Sequence, residues 1–136
     1  MAQIKNVELK VEFDAVNEDD IVVTVDYDIE FSDLDRIANV VYHETCLLVG
    51  VDTKGSGDIG NGGDDILKSL VDQVTATGRQ TAVHRNASKV VKRHVLNEDP
   101  SPLQPRDELR AEVRMDDQAG QVITATGRSA ILADRF

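Results

Sequence analysis

Apolar and polar side chains alternate in two runs within residues 7–31. The apolar side chains occupy the odd-numbered positions from 7 to 13 in the first run and from 21 to 31 in the second. Because successive side chains of a strand point to opposite faces, each run has one apolar face and one mainly polar face. Residues 14–20 between the runs are rich in Asn, Asp and Glu, which is typical of a hairpin loop. The pattern predicts an antiparallel hairpin whose apolar face is covered by a second sheet.

Further strand patterns continue along the chain. Residues 36–51 carry apolar side chains on both faces, as expected for a strand that is covered on both sides. Residues 81–96 and 109–115 predict two more strands, the second with strict alternation, and residues 121–136 predict the last one. Residues 86–88 predict a bulge or bend within the strand at residues 81–96.

These strands and the turns between them indicate one fold class. The sequence predicts an all-β protein in which residues 1–136 form a single antiparallel β-sandwich, immunoglobulin-like or C2-like, with seven to eight strands. The first strand contains no proline or glycine, and we expect it at a sheet edge. The apolar phase of the strands predicts that five residues are buried on facing sheets: Val11, Val23, Val25, Leu109 and Val113.

The segment near residues 65–73 departs from the period of two. Its apolar side chains, at positions 66, 67, 70, 71 and 74, recur at spacings of three and four, and Asp64 or Asp65 could cap a helix there. The spacing predicts one short helical segment near residues 65–73, with a strand as the alternative.

Composition restricts the classes of partner. The 136 residues carry a formal net charge of −10, with 4% aromatic residues and no Trp. Because phosphate binding needs a cationic surface, the charge argues against nucleic acid as a partner. No apolar run is long enough to span a membrane, so we expect no membrane insertion. Without a recognisable signal segment, a cytoplasmic location is the default expectation, and export without a signal is compatible with the sequence.

Residue patterns of catalysis are missing from the sequence. Cys46 is the single cysteine, and its closest histidine, His43, leaves the predicted strand on the opposite face. No nucleophile–base pair or phosphate-binding glycine motif stands out. We therefore expect Cys46 to be a small buried residue and the protein not to be an enzyme.

Acidic residues are concentrated in predicted loops. If the strands simply alternate in direction, the loops at residues 14–20, 52–65 and 97–99 meet at one end of the sandwich. Calcium takes six to eight oxygen ligands, and converging loop carboxylates can provide them. The residues predicted for such a Ca²⁺ site are Asp19, Asp20, Asp52, Asp58, Asp64 and Asp65.

Charge is also unevenly distributed along the chain. Residues 73–97 contain five basic residues and no acidic one, whereas residues 1–72 are strongly acidic. One interpretation is that a basic strand offsets acidic strands of the same chain through cross-strand pairs. The other is self-association, in which a basic face meets the acidic face of a second copy. That interpretation assigns Arg79, Arg85, Lys89, Lys92 and Arg93 to the basic face, and Glu8, Glu12, Asp26 and Asp28 to the acidic face.

One five-residue sequence, Thr-Ala-Thr-Gly-Arg, occurs at residues 75–79 and again at 124–128. Two strands of similar composition would account for it, and so would equivalent places in the two halves of a Greek-key sandwich. For function, the sequence favours a non-enzymatic structural or interaction module that self-assembles through edge strands and complementary charged faces. The alternative is a Ca²⁺-dependent binding module that uses the acidic loops.

Overall fold

The computed structural model describes residues 2–50, 65–96, 107–117 and 123–134. Two short helices are present in this part of the chain, α1 (Asp33–Ala38) and α2 (Arg93–Leu96). The strands, in chain order, are β1 (Gln3–Phe13), β2 (Asp20–Glu30), β3 (Val41–Gly50), β4 (Asp65–Ala76), β5 (Ala82–Lys92), β6 (Asp107–Asp117), β7 (Ile123–Arg128) and β8 (Leu132–Asp134).

The strands form two antiparallel sheets, which confirms the predicted β-sandwich. The first sheet has the order β1-β2-β5, and the second has the order β4-β3-β6-β7, with β8 also paired to β6. In a constant-type immunoglobulin domain the fourth strand joins the sheet of the first, second and fifth strands. Here β4 pairs with β3 instead, so the chain crosses between the sheets after β4.

The core lies between the two sheets and consists of side chains that the alternation of the strands predicts to point inward. Val23 and Val25 of the first sheet and Leu109 and Val113 of the second are fully buried, as predicted. Val11 is only half-buried against this core, because it belongs to the outer strand β1. The predicted edge position of the N-terminal strand is confirmed.

A bulge in β1 allows both halves of that strand to contribute to the core. The β1–β2 register shifts between Lys5 and Glu8, and Asn6 there has a left-handed backbone with φ +56°. Asn tolerates this conformation better than most residues. The extra residue changes the strand phase, so that Ile4 before the bulge and Val7 after it both pack against the core.

The predicted helix near residues 65–73 is wrong, because these residues belong to strand β4. The β3–β4 register shifts twice, and the residues that β4 gains at the two shifts are Leu67 and Leu70. Each inserted residue resets the alternation of the strand. Two insertions three residues apart therefore give apolar spacings of three and four without a helix.

Two other local predictions are also wrong. The strand predicted over residues 36–51 begins only at Val41, because residues 33–38 form α1. Ser32 caps α1 by accepting a hydrogen bond from the Asp35 backbone N–H, and the Asp35 carboxylate accepts one from the Ser32 N–H. The bulge predicted at residues 86–88 does not form, because β5 pairs with β2 in unbroken register.

None of the described helices is both long and apolar enough to cross a membrane.

Candidate functional site

A carboxylate lies in the core between the two sheets. Glu44, on the inward phase of β3, is completely buried. Arg85 of β5 reaches it from the opposite sheet, with Nε 2.9 Å from one carboxylate oxygen and Nη2 2.8 Å from the other. The Thr75 hydroxyl donates a hydrogen bond of 2.8 Å, and the Tyr27 hydroxyl donates another. Four strands, β2 to β5, therefore meet at this one side chain.

The protonation states of this network follow from its geometry. Burial alone would raise the pKa of Glu44, but the hydrogen bonds from Arg85, Tyr27 and Thr75 outweigh it and lower the pKa. Hydrogen bonding to Glu44 raises the pKa of Arg85. Burial, followed by the hydrogen bond to Glu44, raises the pKa of Tyr27. The site is thus a fixed ion pair with a neutral tyrosine, and each of its members is already engaged.

Cys46 is buried in the core, as predicted, and is not an activated thiol. Burial, with a smaller effect of the Glu44 charge, raises its pKa to about 12. His43 lies on the other face of β3, where a ring nitrogen is 2.6 Å from an oxygen of Asp72. The two residues face away from each other, as the strand phase predicts.

The outer face of the first sheet carries polar pairs across its strands. His84 of β5 contacts Asp28 at 2.7 Å and Asp26 at 3.3 Å, and Asn86 donates a hydrogen bond of 2.6 Å to Asp26. The hydrogen bond to Asp28 is the main cause of a raised pKa of His84. At the two ends of the sheet, Lys92 pairs with Asp20 at 2.6 Å and Lys5 with Glu30 at 2.9 Å. All four acidic side chains of β2 therefore have a partner in the same chain.

The five basic residues predicted to form one face are separated by the strand geometry. Arg85 points inward to Glu44, and Lys92 pairs with Asp20. The guanidinium of Arg93 lies 5.5 Å from the centre of the Phe13 ring, within range of a cation–π contact. Lys89 on β5 and Arg79 in the preceding turn are exposed, and neither forms an ion pair within the described residues.

The residues predicted to bind calcium lie mostly outside the described residues, namely Asp52, Asp58, Asp64 and the side chain of Asp65. Asp20 binds Lys92 and also accepts a hydrogen bond from Asn17, while Asp19 is exposed. Within the described ranges, no group of three His, Cys, Asp or Glu side chains could hold a metal ion. The strand ends that lead into the three acidic loops lie together within each sheet, since Asp20 pairs with Lys92 and Gly50 pairs with both Asp65 and Leu109. The opposite ends of the two sheets are joined by the short connection between β4 and β5, so these ends share one end of the sandwich.

Sequence analysis did not identify a group of three arginines that the described structure brings together. Three arginines surround Glu112 on the outer face of the second sheet. Arg110 and Arg114 flank it along β6, and Arg128 lies directly opposite it on β7. We call these three residues the arginine cluster. On the outward face of β6 each arginine lies two positions after a glutamate, and the pairing of β7 with β6 adds the third arginine.

The outer strands differ in the regularity of their pairing. The register shifts between β1 and β2, twice between β3 and β4, and between β6 and β7. By contrast, β5 pairs with β2 over eleven consecutive residues without a shift. In the described part of the chain, β5 also has no strand paired to its other side.

Comparison with known proteins finds no protein-family model and no curated protein that matches this chain.

Proposed function

We propose that this chain is a non-enzymatic interaction module that associates with a second copy of itself through the free edge of β5. The observation that carries the proposal is the unbroken register of β5, which contrasts with the interrupted pairing of β1, β4 and β7. A regular outer strand offers a row of backbone N–H and C=O groups to which another strand can pair. Bulges disturb this row, so they protect the other edges better than that of β5.

Side chains on β5 favour a selective contact over general aggregation. Lys89 is paired with Val23, so it lies on the inward phase of the strand, yet it is exposed at the sheet edge. An inward-phase charge on an edge strand opposes pairing with an arbitrary apolar strand. A strand from this acidic protein could neutralise that charge. Val90, on the outward phase, exposes a large apolar side chain beside it.

Two adjacent proline variants, Lys89→Pro and Val90→Pro, test the edge contact. Neighbouring residues of a strand direct their N–H groups to opposite sides, so one proline removes a hydrogen bond to β2 and the other removes a donor from the free edge. We expect the variant that keeps its thermal stability to lose association. Sedimentation velocity over a concentration series measures the association, at about 0.05 M and about 0.5 M salt because salt screens charge.

Lys89→Ala and Val90→Ala are the matched controls, since they remove the same side chains and leave the backbone donors in place. Association that persists unchanged in the stable proline variant would refute the β5 contact. A single monomeric species of the unmodified chain at every concentration would refute self-association altogether, even if both proline variants fail to fold.

A calcium-dependent binding module is the second function that we propose. It is supported by the strand ends that lead into the three acidic loops, since these strand ends lie at one end of the sandwich. In that case the carboxylates of the loops, rather than β5, would provide the functional site.

A further inference from the structure

We propose that the two ends of the sandwich bind each other between copies of this chain, so that the loop between β1 and β2 of one copy docks on helix α1 of the next. We call the exposed loop residues 15–19 the hairpin tip, and α1 together with residues 77–81 the α1 surface. This inference rests on the proposed self-association and adds a contact at surfaces other than the β5 edge.

Helix α1 exposes its apolar side chains. Leu34 is 75% exposed and Ile37 is 82% exposed. Residues three apart are neighbours on a helix, so these two side chains form one apolar surface. Asp35 is the buried residue of α1, and Asp33 and Arg36 pair with each other. The apolar side of α1 therefore faces solvent.

A turn that carries an unpaired arginine borders α1. The Gly78 backbone N–H donates a hydrogen bond of 2.9 Å to Oδ1 of Asn39, the residue that caps the end of α1. Phe31, just before the start of α1, donates its backbone N–H to the carbonyl of Thr81 at 2.9 Å. Arg79 lies between these two attachments, is exposed, and forms no ion pair within the described residues. The α1 surface thus combines two apolar side chains with one available positive charge.

The hairpin tip has the opposite charge and an exposed apolar side chain of its own. Val16 is 95% exposed, although it is apolar and β-branched. Glu18 and Asp19, two and three positions later, are exposed and form no ion pair within the part of the chain that the structure describes. One apolar side chain beside two carboxylates is complementary to two apolar side chains beside an arginine.

Hydrogen bonds within the loop hold the hairpin tip in place. Oδ1 of Asp14 accepts bonds from the backbone N–H groups of Val16 and Asn17, at 2.8 and 3.2 Å. Oδ1 of Asn17 in turn accepts one from the Asp19 N–H at 3.1 Å. Because the loop is already ordered, docking of Val16 costs little further conformational entropy. The Val16 side chain itself takes no part in these bonds, so the loop does not require an apolar residue there.

The two surfaces lie at opposite ends of β2. The hairpin tip directly precedes Asp20 at the start of this strand, and α1 follows Glu30 at its end. A strand of 11 residues is about 34 Å long, so a single copy cannot bring its own two surfaces together. Contact between different surfaces of successive copies is heterologous and produces rings or open filaments. The copies would line up end to end, along the direction of the strands.

The contact is small compared with a stable protein interface. It contains three large apolar side chains, Val16, Leu34 and Ile37, whereas a standard interface buries about 1,600 Å². The end-to-end contact is therefore weak by itself, and it extends an assembly that the β5 edge begins. A copy that joins at both surfaces gains from both contacts at once.

Exchange of the two opposite charges tests this contact. Arg79→Glu and Glu18→Lys should each weaken association about tenfold at about 0.05 M salt, because each places like charges at the contact. The chain that carries both substitutions restores an attractive pair with reversed signs, and it keeps the net charge of −10. Its association should return to within about twofold of that of the unmodified chain. Sedimentation velocity over a concentration series measures all four chains.

Lys10→Glu and Glu8→Lys are the matched controls, since they change the net charge by the same amounts on the outer face of β1, away from both surfaces. Glu8 and Glu12, which the charge distribution along the chain assigns to an acidic face, are exposed there and form no ion pair within the described residues. Both controls should leave association unchanged. Equal weakening by the controls would overturn the proposal, because overall charge would then explain the loss. Failure of the chain with both exchanged charges to regain affinity would also overturn it.

Leu34→Gln with Ile37→Gln tests the apolar part of the contact without a change of charge. Both side chains are exposed and Gln is a good helix former, so α1 should persist. We expect association to weaken about tenfold.

The outcomes separate this contact from the β5 edge. Unaltered association of the glutamine variant and of both charge variants would overturn the end-to-end contact and leave the β5 contact intact. Association that weakens in these variants, but not in the stable proline variant of β5, would support the end-to-end contact and refute the β5 contact. A monomeric unmodified chain at every concentration would refute both.

Discussion

At the scale of single residues, Glu44 shows how this core accommodates a charge. A buried ion pair contributes little net stability, because desolvation of the two ions offsets their attraction. Removing one partner is costly, however, since the other charge then remains buried alone. Glu44 is in this position, because it is fully buried and Arg85 is its charged partner. We infer that the pair fixes the alignment of the two sheets more than it adds to their stability.

Arg85→Ala should lower the free energy of unfolding by about 3 kcal/mol. Loss of one member of a buried pair costs about 3–5 kcal/mol, and the lower end applies because the Arg85 side chain is 25% exposed. Chemical denaturation measures the change. In a Glu44→Gln background the same substitution should cost clearly less, since no carboxylate is left unpaired. An equal cost in both backgrounds would show that Arg85 contributes through packing alone.

The effect of Arg85→Ala should also depend on pH. The folded pKa of Glu44 lies below its ordinary value of 4.5. Its contribution to stability is therefore fully present above pH 4.5 and is lost as the pH falls through the folded pKa. Without Arg85 the pKa of Glu44 would be higher than in the unmodified protein, so protonation would remove the cost of the unpaired buried carboxylate at a higher pH in the variant. The difference in unfolding free energy between the two should thus shrink from about pH 7 to about pH 4.

At the scale of the elements, bulges decide which side chains reach the core. In β4 a bulge buries Leu70 beside Val71, although a regular alternation would place these consecutive residues on opposite faces. The apolar residues of helix α1 likewise do not mark its buried side. Leu34 and Ile37 of this helix are largely exposed, whereas Asp35 is buried and bonded to the Tyr42 hydroxyl. Polar capping thus accounts for α1 better than burial of an apolar face.

The bulge in β1 depends on the left-handed backbone at Asn6. Asn6→Val should lower the free energy of unfolding by about 1–2 kcal/mol relative to Asn6→Gly, because a β-branched residue is strained at positive φ. Both substitutions lose the hydrogen bond from Asn6 to Asp28, so their difference isolates the backbone effect. Thermal or urea denaturation of the two variants is sufficient. A more stable valine variant would indicate that β1 adopts a regular strand there.

At the scale of the whole molecule, charge is organised by the sheets and not by position along the chain. The basic segment at residues 73–97 lies largely beside acidic β2, where Lys92 and His84 pair with its carboxylates. This arrangement supports the interpretation that a basic strand offsets acidic ones within the same chain. The arginine cluster, with its three contacts to Glu112, lies instead on the other sheet.

Removal of divalent cations tests the second proposed function. If calcium binds the folded protein, mass action requires that it raise stability, by about 2.7 kcal/mol at a free concentration of a hundred times Kd. We therefore expect a higher melting temperature in excess calcium than in excess EDTA. Magnesium is the control for a general effect of divalent charge. An identical melting temperature in all three conditions would exclude the calcium-dependent module and leave the acidic loops with a role in turn formation.

The sequence by itself determined the strand phases and the fold class. The buried positions of Val23, Val25, Leu109 and Val113 follow from a period of two, because that period is a property of the local backbone. Other features of the sequence placed β1 at an edge and Cys46 in the core, namely a first strand without proline or glycine and a single cysteine with no catalytic partner. It could not locate the bulges, since an inserted residue is defined only by the strand opposite it.

The tertiary structure alone decided what the repeated Thr-Ala-Thr-Gly-Arg sequence becomes. In the first copy, β4 ends at Ala76, and Gly78 turns the chain at φ +57°, its N–H bonded to the Asn39 side chain. In the second copy, all five residues belong to β7, and a Cβ on Gly127 would lie 2.6 Å from Ile4. Identical local preferences thus have two outcomes, because the neighbouring elements supply different partners. The Glu44–Arg85 pair and the arginine cluster depend on the fold for the same reason, since pairing between distant strands brings their charges together.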